Sequence, residues 1–293
     1  MKKLTFLFLF ISIFSFAQKQ NLKKEINIIT EGKNATVAVS VTGIDFSFHF
    51  ENKNGEKKLP MLSVFKFHIA LAVLNKVDEG KLNLDQKLFI KKSDLLENTW
   101  SPIREKYPEG NIEIPLSELI KYTVAQSDNN GCDILLRLIG GTETVQNFMN
   151  EKEVKNFQIK FNEEKMHQSI DAIYANNTTT NSLSQLLKDF YFNKIVSKKS
   201  TDFLMKILLE TSTGTNKLVE QLPKNSVAHK TGSSGKTDAG LTIAENDAGI
   251  VTLPSGKHYA ISVFVSDSME SSEINTKIIA DISKIVFDYF SKN

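Results

Sequence analysis

The sequence predicts an α+β fold, in which one antiparallel sheet is built from both ends of the chain, is flanked by helices, and receives an inserted helical domain. Two patterns predict it. Apolar side chains alternate with small or polar ones in segments 37–50 and 259–265, as is typical of strands. Between residues 62 and 211, apolar side chains instead recur at helical spacing. A length of 293 residues with 41 % hydrophobic residues is sufficient to bury a core in both parts.

The elements follow in order along the chain. Residues 20–30 are predicted to be a helix, and segments 37–42 and 46–51 a β-hairpin across a turn at Gly43. Strands are predicted at residues 229–233 and 259–265, and a last helix at residues 274–289. The middle helices are predicted at residues 63–77, 117–126, 130–139, 142–150, 182–192 and 199–210.

This order predicts two domains. Residues 18–60 with 207–293 form the α/β domain, and residues 61–206 form the helical domain. A cleft between two such units is the usual position of an active site, and we expect it here.

The first residues are predicted to be an export signal that is removed. Lys2 and Lys3 precede the apolar run 4–16, and the small residue Ala17 ends it, so that residues 1–17 form the signal peptide. The alternative is a membrane anchor, but the run is shorter than the ~20 residues of a spanning helix. We therefore expect a periplasmic protein with no membrane attachment after cleavage, and a monomer.

The composition of the chain and the spacing of its cysteine, histidine and glycine residues exclude several classes of protein and of site. With 36 basic and 34 acidic residues, the chain lacks the cationic excess of a nucleic-acid-binding protein. Cys132 is the single cysteine, so no intrachain disulfide forms, and its apolar helical setting predicts a buried thiol. The five histidines lack metal-ligand spacing, and no phosphate-binding glycine loop is present, so no metal or cofactor is expected.

The chemical signal begins at Ser63 and Lys66. They lie one turn apart on a helix that is otherwise apolar on all sides, and a buried lysine is rare unless it is paired. Burial weakens the hold of the amine on its proton, and the start of a helix favours negative charge. A hydroxyl in that position is suited to act as a nucleophile. Ser-x-x-Lys alone is a weak signal, since residues 233–236 also fit it.

Two further motifs give the signal its specificity. Ser127-Asp128-Asn129 lies where one predicted helix ends and the next begins, and Lys230-Thr231-Gly232 lies on a predicted strand. With Ser63-x-x-Lys66 they form the ordered set of the class A β-lactamases and penicillin-binding proteins. The whole chain after the signal resembles a class A serine β-lactamase, in particular the extended-spectrum cephalosporinase branch, which implies the serine β-lactamase/transpeptidase-like fold.

The resemblance implies a role for each motif residue. Ser63 is the nucleophile, Lys66 its partner amine, and Ser127 the hydroxyl that relays a proton to the leaving nitrogen. The strand residues Lys230, Thr231 and Ser233 bind the substrate carboxylate.

It also implies contacts at the edge of the site. Asn129 holds the carbonyl of the substrate side chain, and Trp100 is either a wall of the cleft mouth or ordinary packing. The backbone N–H groups of Ser63 and Ser233 form an oxyanion hole, which is the kind of group that stabilises a tetrahedral intermediate.

Release of the acyl-enzyme needs a base, which the family supplies from a loop. Glu163 and Glu164 are both candidates, and we prefer Glu163 because its separation from Ser127 matches the family. His167 stands where many relatives have an asparagine that holds the deacylating water, so that either His167 replaces it or the loop differs in shape. No arginine lies near the Lys230 strand, and the loop between Ser63 and Ser127 is longer than usual.

The predicted function is β-lactam hydrolysis, with small-molecule β-lactams as substrate and cephalosporins favoured. The closest alternative is a D-alanyl-D-alanine carboxypeptidase or penicillin-binding protein, which shares the three motifs. A penicillin-recognising sensor without activity is a third.

Overall fold

The computed structural model of the chain describes residues 20–292, and the predicted signal peptide lies outside the described residues. The strands are β1 (Thr36–Gly43), β2 (His49–Glu51), β3 (Leu59–Pro60), β4 (Lys87–Ile90), β5 (Ile112–Pro115), β6 (Phe157–Gln158), β7 (Asn177–Thr178), β8 (Val227–Ser233), β9 (Thr242–Thr252) and β10 (His258–Ser268). The helices are α1 (20–30), α2 (Phe65–Asp78), α3 (Pro102–Lys106), α4 (Leu116–Ala125), α5 (Asn129–Ile139), α6 (Thr142–Glu151), α7 (Glu163–Met166), α8 (Ile170–Ala175), α9 (Thr180–Tyr191), α10 (Lys198–Leu209) and α11 (Ser272–Ser291), with 3₁₀ turns at Leu62–Val64 and Lys92–Asp94.

The main sheet joins the two ends of the described chain, as predicted. Its strand order is β2-β1-β10-β9-β8, and all pairings are antiparallel. The pairing of β1 with β10 runs from Thr36 opposite Ser266 to Gly43 opposite Tyr259. This order makes β8 an edge strand, and β8 contacts the 3₁₀ turn before α2.

Each face of the sheet contributes to a separate core. On one face, the valines of β1 and the apolar residues of β10 pack against α1 and α11, with Ile278 and Ile282 buried between them. On the other face, small side chains such as Ala38 and Ala260 face the second core, which contains α2, α4, α5, α9 and α10. Successive side chains of β1 point to opposite faces of the sheet, so its valines and its small residues belong to different cores.

The predicted middle helices are confirmed to within two residues at each end. Within and just before this stretch there are also short strands that alternation did not indicate: β3, β7 and β6 form one small sheet, and β4 and β5 a ribbon. Strands of two to four residues are too short to show a period in the sequence.

The predicted hairpin forms, but its second strand begins only at His49. Phe46 and Phe48 are not in the strand. Their rings instead contact the ring of Phe290 on α11, with centroids 4.9 and 4.8 Å apart. Packing against the last helix therefore overrides the alternation at the start of this segment.

Two further predictions concern burial and membranes. Cys132 is a free, buried thiol, as predicted, and burial raises its pKa well above the usual value. None of the helices in residues 20–292 combines the length and apolar character needed to cross a bilayer.

His68 makes the stability of this core dependent on pH. It is fully buried on α2 and its ring stacks on Phe157, with centroids 4.4 Å apart. Burial lowers the pKa of His68 to about 3, and the nearby backbone of Val64 and Phe65 offsets this only in part. An unfolded histidine binds its proton near pH 6.5. The free energy of unfolding should therefore fall as the pH drops from about 6.5 towards 3.

We expect His68→Leu to remove this contribution of His68 to the pH dependence of the free energy of unfolding. Between pH 7 and pH 5 the wild-type protein should lose about 2 kcal/mol more than the variant, at ~1.4 kcal/mol per pH unit below the unfolded pKa. Urea unfolding at the two pH values measures the difference. His49→Gln, which removes an exposed histidine, is the control and should keep the wild-type dependence. Equal pH dependence in His68→Leu and wild type would contradict the assignment.

Candidate active site

Ser63 is presented by a tight turn at the start of α2. It lies in the 3₁₀ turn Leu62–Val64, and Leu62 has a positive φ of 47°. The α-helix that follows is buried on every side from Phe65 to Leu74, which fixes the position of the turn. Ser63 itself is only half-buried.

The Lys66 side chain is fully buried and is surrounded by oxygen atoms from three segments. Its Nζ lies 2.8 Å from Ser63 Oγ, 2.9 Å from the Ser127 carbonyl oxygen and 2.7 Å from Glu163 Oε1, and it also contacts Asn129 Oδ1. Ser63 Oγ in turn donates to Glu163 Oε1 at 3.4 Å. A buried ammonium of this kind is tolerated because it is both paired and hydrogen-bonded.

The Ser127–Asn129 turn is held in place by the residue between them. Asp128 caps α5 by accepting from the backbone N–H of Gly131 at 2.7 Å, and its other oxygen accepts from the N–H of Ile103 at 2.7 Å. Burial raises the pKa of Asp128, while these hydrogen bonds act in the opposite direction. Ser127 has a positive φ of 59°, a strained conformation for serine that the capped turn maintains.

Glu163 rather than Glu164 points into the site. It is the first residue of α7 and is 5 % exposed, whereas Glu164 is exposed to solvent. Asp133 on α5 holds this segment by accepting from the backbone N–H of Glu163 at 2.8 Å and of Glu164 at 3.0 Å. Burial raises the pKa of Asp133 to about 6, and the nearby charge of Glu163 adds to this effect.

Strand β8 contributes Lys230 and Thr231 to the site. Lys230 is buried, and its Nζ donates to Ser127 Oγ at 2.9 Å. Burial, together with the positive charges of Lys66 and Lys217, lowers the pKa of Lys230 well below its usual value. The Thr231 hydroxyl contacts that of Thr213 at 2.6 Å.

Gly232 allows β8 to approach the turn that carries Ser63. A Cβ at this position would lie 2.5 Å from the Met61 carbonyl oxygen and 3.2 Å from the Ser63 nitrogen. Only glycine fits at that distance. The backbone of β8 therefore passes directly beside the Ser63 N–H, with Ser233 next along the strand and exposed.

Trp100 and His167 lie at the rim, on either side of Asn129. Trp100 is 54 % exposed, its ring nitrogen donates to the Gln126 carbonyl, and its own carbonyl accepts from the Asn129 N–H. His167 Nε2 lies 3.3 Å from Asn129 Nδ2 and 3.2 Å from Thr99 Oγ1. A cavity of about 370 Å³ opens here, lined by Asn129, Glu163 and His167 among others.

The structure thus brings Ser63, Lys66, Ser127, Asn129, Glu163 and Lys230 into direct contact. Sequence reasoning missed Asp133, Thr99 and the buried pair Lys217–Glu245, which lies behind Ser233. No local pattern marks them, because each contacts the site from a distant part of the chain. Among the described residues, no group of three or more His, Cys, Asp or Glu side chains is arranged to hold a metal ion.

Comparison with known proteins agrees with this geometry. The model of a family described as the β-lactamase enzyme family matches residues 21–290. The chain belongs to this family. It is 47 % identical to β-lactamase VEB-1 of Pseudomonas aeruginosa over 292 residues, which cover 96 % of this chain and 94 % of that protein. It is 39 % identical to the extended-spectrum β-lactamase PER-1 of the same organism, over 96 % of this chain and 92 % of the relative.

Solved β-lactamase structures share the fold. The crystal structure of the TLA-3 extended-spectrum β-lactamase superposes with a TM-score of 0.91 at 51 % identity, covering 93 % of this chain and 99 % of that one. The resemblance to class A serine β-lactamases is therefore confirmed, and the carboxypeptidase alternative is not supported.

The close passage of β8 can be tested in this β-lactamase with Gly232→Ala. The added Cβ must push β8 away from the Ser63 turn and so separate the two backbone N–H groups expected to bind the oxyanion. Loss of one such donor lowers kcat by about 10²–10³-fold, and we expect a fall of that size. Stopped-flow measurement of acylation checks it, with circular dichroism to confirm folding. A folded variant that acylates at the wild-type rate would contradict this prediction.

Proposed function

We propose that this enzyme hydrolyses β-lactams by acylating Ser63 and releasing the acyl group with the help of Glu163, and that cephalosporins are its preferred substrates. The observation that carries the proposal is the contact of Ser63 Oγ with both Lys66 Nζ, at 2.8 Å, and Glu163 Oε1, at 3.4 Å. Relatives named as extended-spectrum β-lactamases support the substrate class.

In acylation, Ser63 Oγ attacks the lactam carbonyl and its proton passes to Glu163, or to Lys66 once Lys66 has given a proton to Glu163. The ring C–N bond breaks, and Ser127 gives its hydroxyl proton to the leaving nitrogen. Ser127 regains a proton from Lys66, 3.5 Å away, which in turn takes one from Glu163, so that Glu163 is a carboxylate again. The Ser127 hydroxyl also lies 2.9 Å from Lys230 Nζ. Because the proton affinity of Lys230 is lowered by burial, it is suited to support that relay. The N–H groups of Ser63 and Ser233 bind the oxyanion.

In deacylation, Glu163 takes a proton from a water molecule, which attacks the ester carbonyl. The ester C–O bond then breaks, and Ser63 Oγ takes up a proton from Glu163 or Lys66, with which it is in contact. The hydrogen bonds that the backbone N–H groups of Glu163 and Glu164 donate to Asp133 fix the Glu163 carboxylate in the orientation this step requires. An accurately held base is needed because small displacements of a catalytic group lower the rate steeply.

In this proposal Lys230 and Thr231 bind the substrate carboxylate, for which the resemblance also implies Ser233, and Asn129 binds the carbonyl of the substrate side chain. Asn129 Nδ2 contacts Thr99 at 2.7 Å and His167 at 3.3 Å, so that an incoming carbonyl replaces the longer contact. Before substrate binds, Thr99 and His167 together hold the Asn129 amide group in place. The exposed Trp100 forms a wall of the cleft mouth.

Glu163→Gln should separate the two chemical steps. Losing a general base typically lowers the rate by about 10²–10⁴-fold, so the variant should accumulate acylated Ser63, detectable by intact-mass spectrometry with a chromogenic cephalosporin. Wild type should turn the same substrate over continuously, with a higher kcat/KM than for a penicillin. Glu164→Gln is the matched control, because Glu164 is exposed, and should behave as wild type. An acylated wild-type enzyme that does not turn over would indicate a sensor instead.

The domain division and the location of the protein are part of the same proposal. Residues 18–60 with 207–293 and residues 61–206 form the two sides of the cleft, and the chain is a periplasmic monomer cleaved after Ala17. The basic start and short apolar run support the signal peptide.

The intact mass of the exported protein should correspond to a chain starting at Gln18, and a retained leader would contradict this.

A further inference from the structure

We infer that Glu245 determines the hydrogen-bonding role of the Ser233 hydroxyl, holding it as an acceptor towards bound substrate and so excluding it from recognition of the substrate carboxylate. Glu245 is therefore a positioning residue that affects which substrates bind well. The inference rests on the proposed function, in which β8 lines the substrate site.

The observation behind it is a buried ion pair that the β-lactamase mechanism above does not use. Lys217 and Glu245 have side chains only 5 % and 8 % exposed, and Lys217 Nζ lies 2.5 Å from Glu245 Oε1. Lys217 also donates to the carbonyl oxygens of Gly232 and Asn246. The other carboxylate oxygen, Oε2, lies 3.0 Å from Ser233 Oγ.

These contacts fix the direction of the hydrogen bond to Ser233. A carboxylate paired with an ammonium is ionised and can only accept, so the Ser233 hydroxyl must donate its single hydrogen to Glu245. What Ser233 Oγ then offers to the cleft is lone pairs. A buried pair is costly to disrupt, which keeps this arrangement in place when substrate binds.

The consequence concerns which part of a β-lactam can contact Ser233. A substrate carboxylate has no hydrogen to donate, and it would also face the negative charge of Glu245. An amide N–H of the substrate side chain can donate to Ser233 Oγ. Recognition of the carboxylate is therefore left to Lys230 and Thr231, without the Ser233 hydroxyl that the resemblance implies.

Glu245→Gln reverses the arrangement with a side chain of nearly the same shape. Lys217 can only donate, so the amide oxygen of the glutamine must face it, and the amide NH₂ then faces Ser233 Oγ. The NH₂ donates to Ser233, which frees the Ser233 hydrogen to bind a substrate carboxylate. Ser233 thus changes from acceptor to donor towards the cleft.

The test uses one chromogenic cephalosporin as its free acid and as its methyl ester, and measures the acid-to-ester ratio of kcat/KM. A hydrogen bond to a charged group corresponds to a factor of about ten or more. We expect Glu245→Gln to raise the ratio about tenfold, and Glu245→Gln with Ser233→Ala to return it to the wild-type value. Ser233→Ala alone should change the ratio by less than about twofold, because the hydroxyl does not contact the carboxylate.

Asp238→Asn is the matched control, since it removes an exposed negative charge from the loop after β8 without touching Ser233. A similar rise in Asp238→Asn, or a rise that persists in the double variant, would show an effect of charge alone and overturn the inference. An unchanged ratio in a folded Glu245→Gln would do the same.

If Glu245→Gln fails to fold, Ser233→Ala alone decides the question, because Ser233 is exposed and its truncation leaves the core intact. A tenfold fall in the ratio would then overturn the inference. Failure of the proposed function is seen separately, as absence of acylation at Ser63, whereas the ratio is measured on an enzyme that turns over.

Discussion

The buried ammonium of Lys66 is the constraint on which the rest of the site depends. A charge removed from water costs several kcal/mol unless nearby groups replace its hydration. Here those groups come from the turn at Ser63, the turn at Ser127 and the segment at Glu163, which are far apart in the chain. Satisfying one lysine therefore requires all three segments to meet. The same meeting places a hydroxyl, an amine and a carboxylate around one reacting position.

A second set of buried charges organises the sheet side of the cleft. This set comprises Lys230, the pair Lys217–Glu245, and Asp247, whose carboxylate lies 3.0 Å from His229. All of these residues are on strands β8 and β9 except Lys217, which donates to carbonyl oxygens of both strands. An edge strand presents one row of backbone groups to its open side. Since β8 is such an edge and Gly232 lets it run beside Ser63, the open side of the sheet becomes a wall of the site.

The sequence was most informative where the structure is local. Helices such as α5 and α9 were predicted to within two residues, because their periodicity and caps lie within the helix itself. Strand β9 was missed because its centre carries Glu245, Asn246 and Asp247, which are buried. Nothing adjacent in sequence explains their burial, which depends on partners such as Lys217 and His229.

The choice between Glu163 and Glu164 likewise depends on a residue that is distant in the sequence. The resemblance favoured Glu163 by its spacing, but the physical reason is that Asp133, thirty residues earlier, accepts the backbone N–H groups at the start of α7. Those hydrogen bonds fix how the helix begins, and so direct one carboxylate inward to Lys66 and leave the next in solvent.

Residues that depart from the usual preferences of helices, turns and strands are concentrated around one cleft. Lys66 interrupts an apolar helix, Ser127 takes a conformation that serine disfavours, and Glu245 is a charge within a central strand. Each is unfavourable alone and is held by contacts from elsewhere in the fold. Proteins depart from such rules mainly at functional sites, so their coincidence in space supports the site proposed above. By the same reasoning Glu245, which the three motifs do not include, is part of the site that we propose.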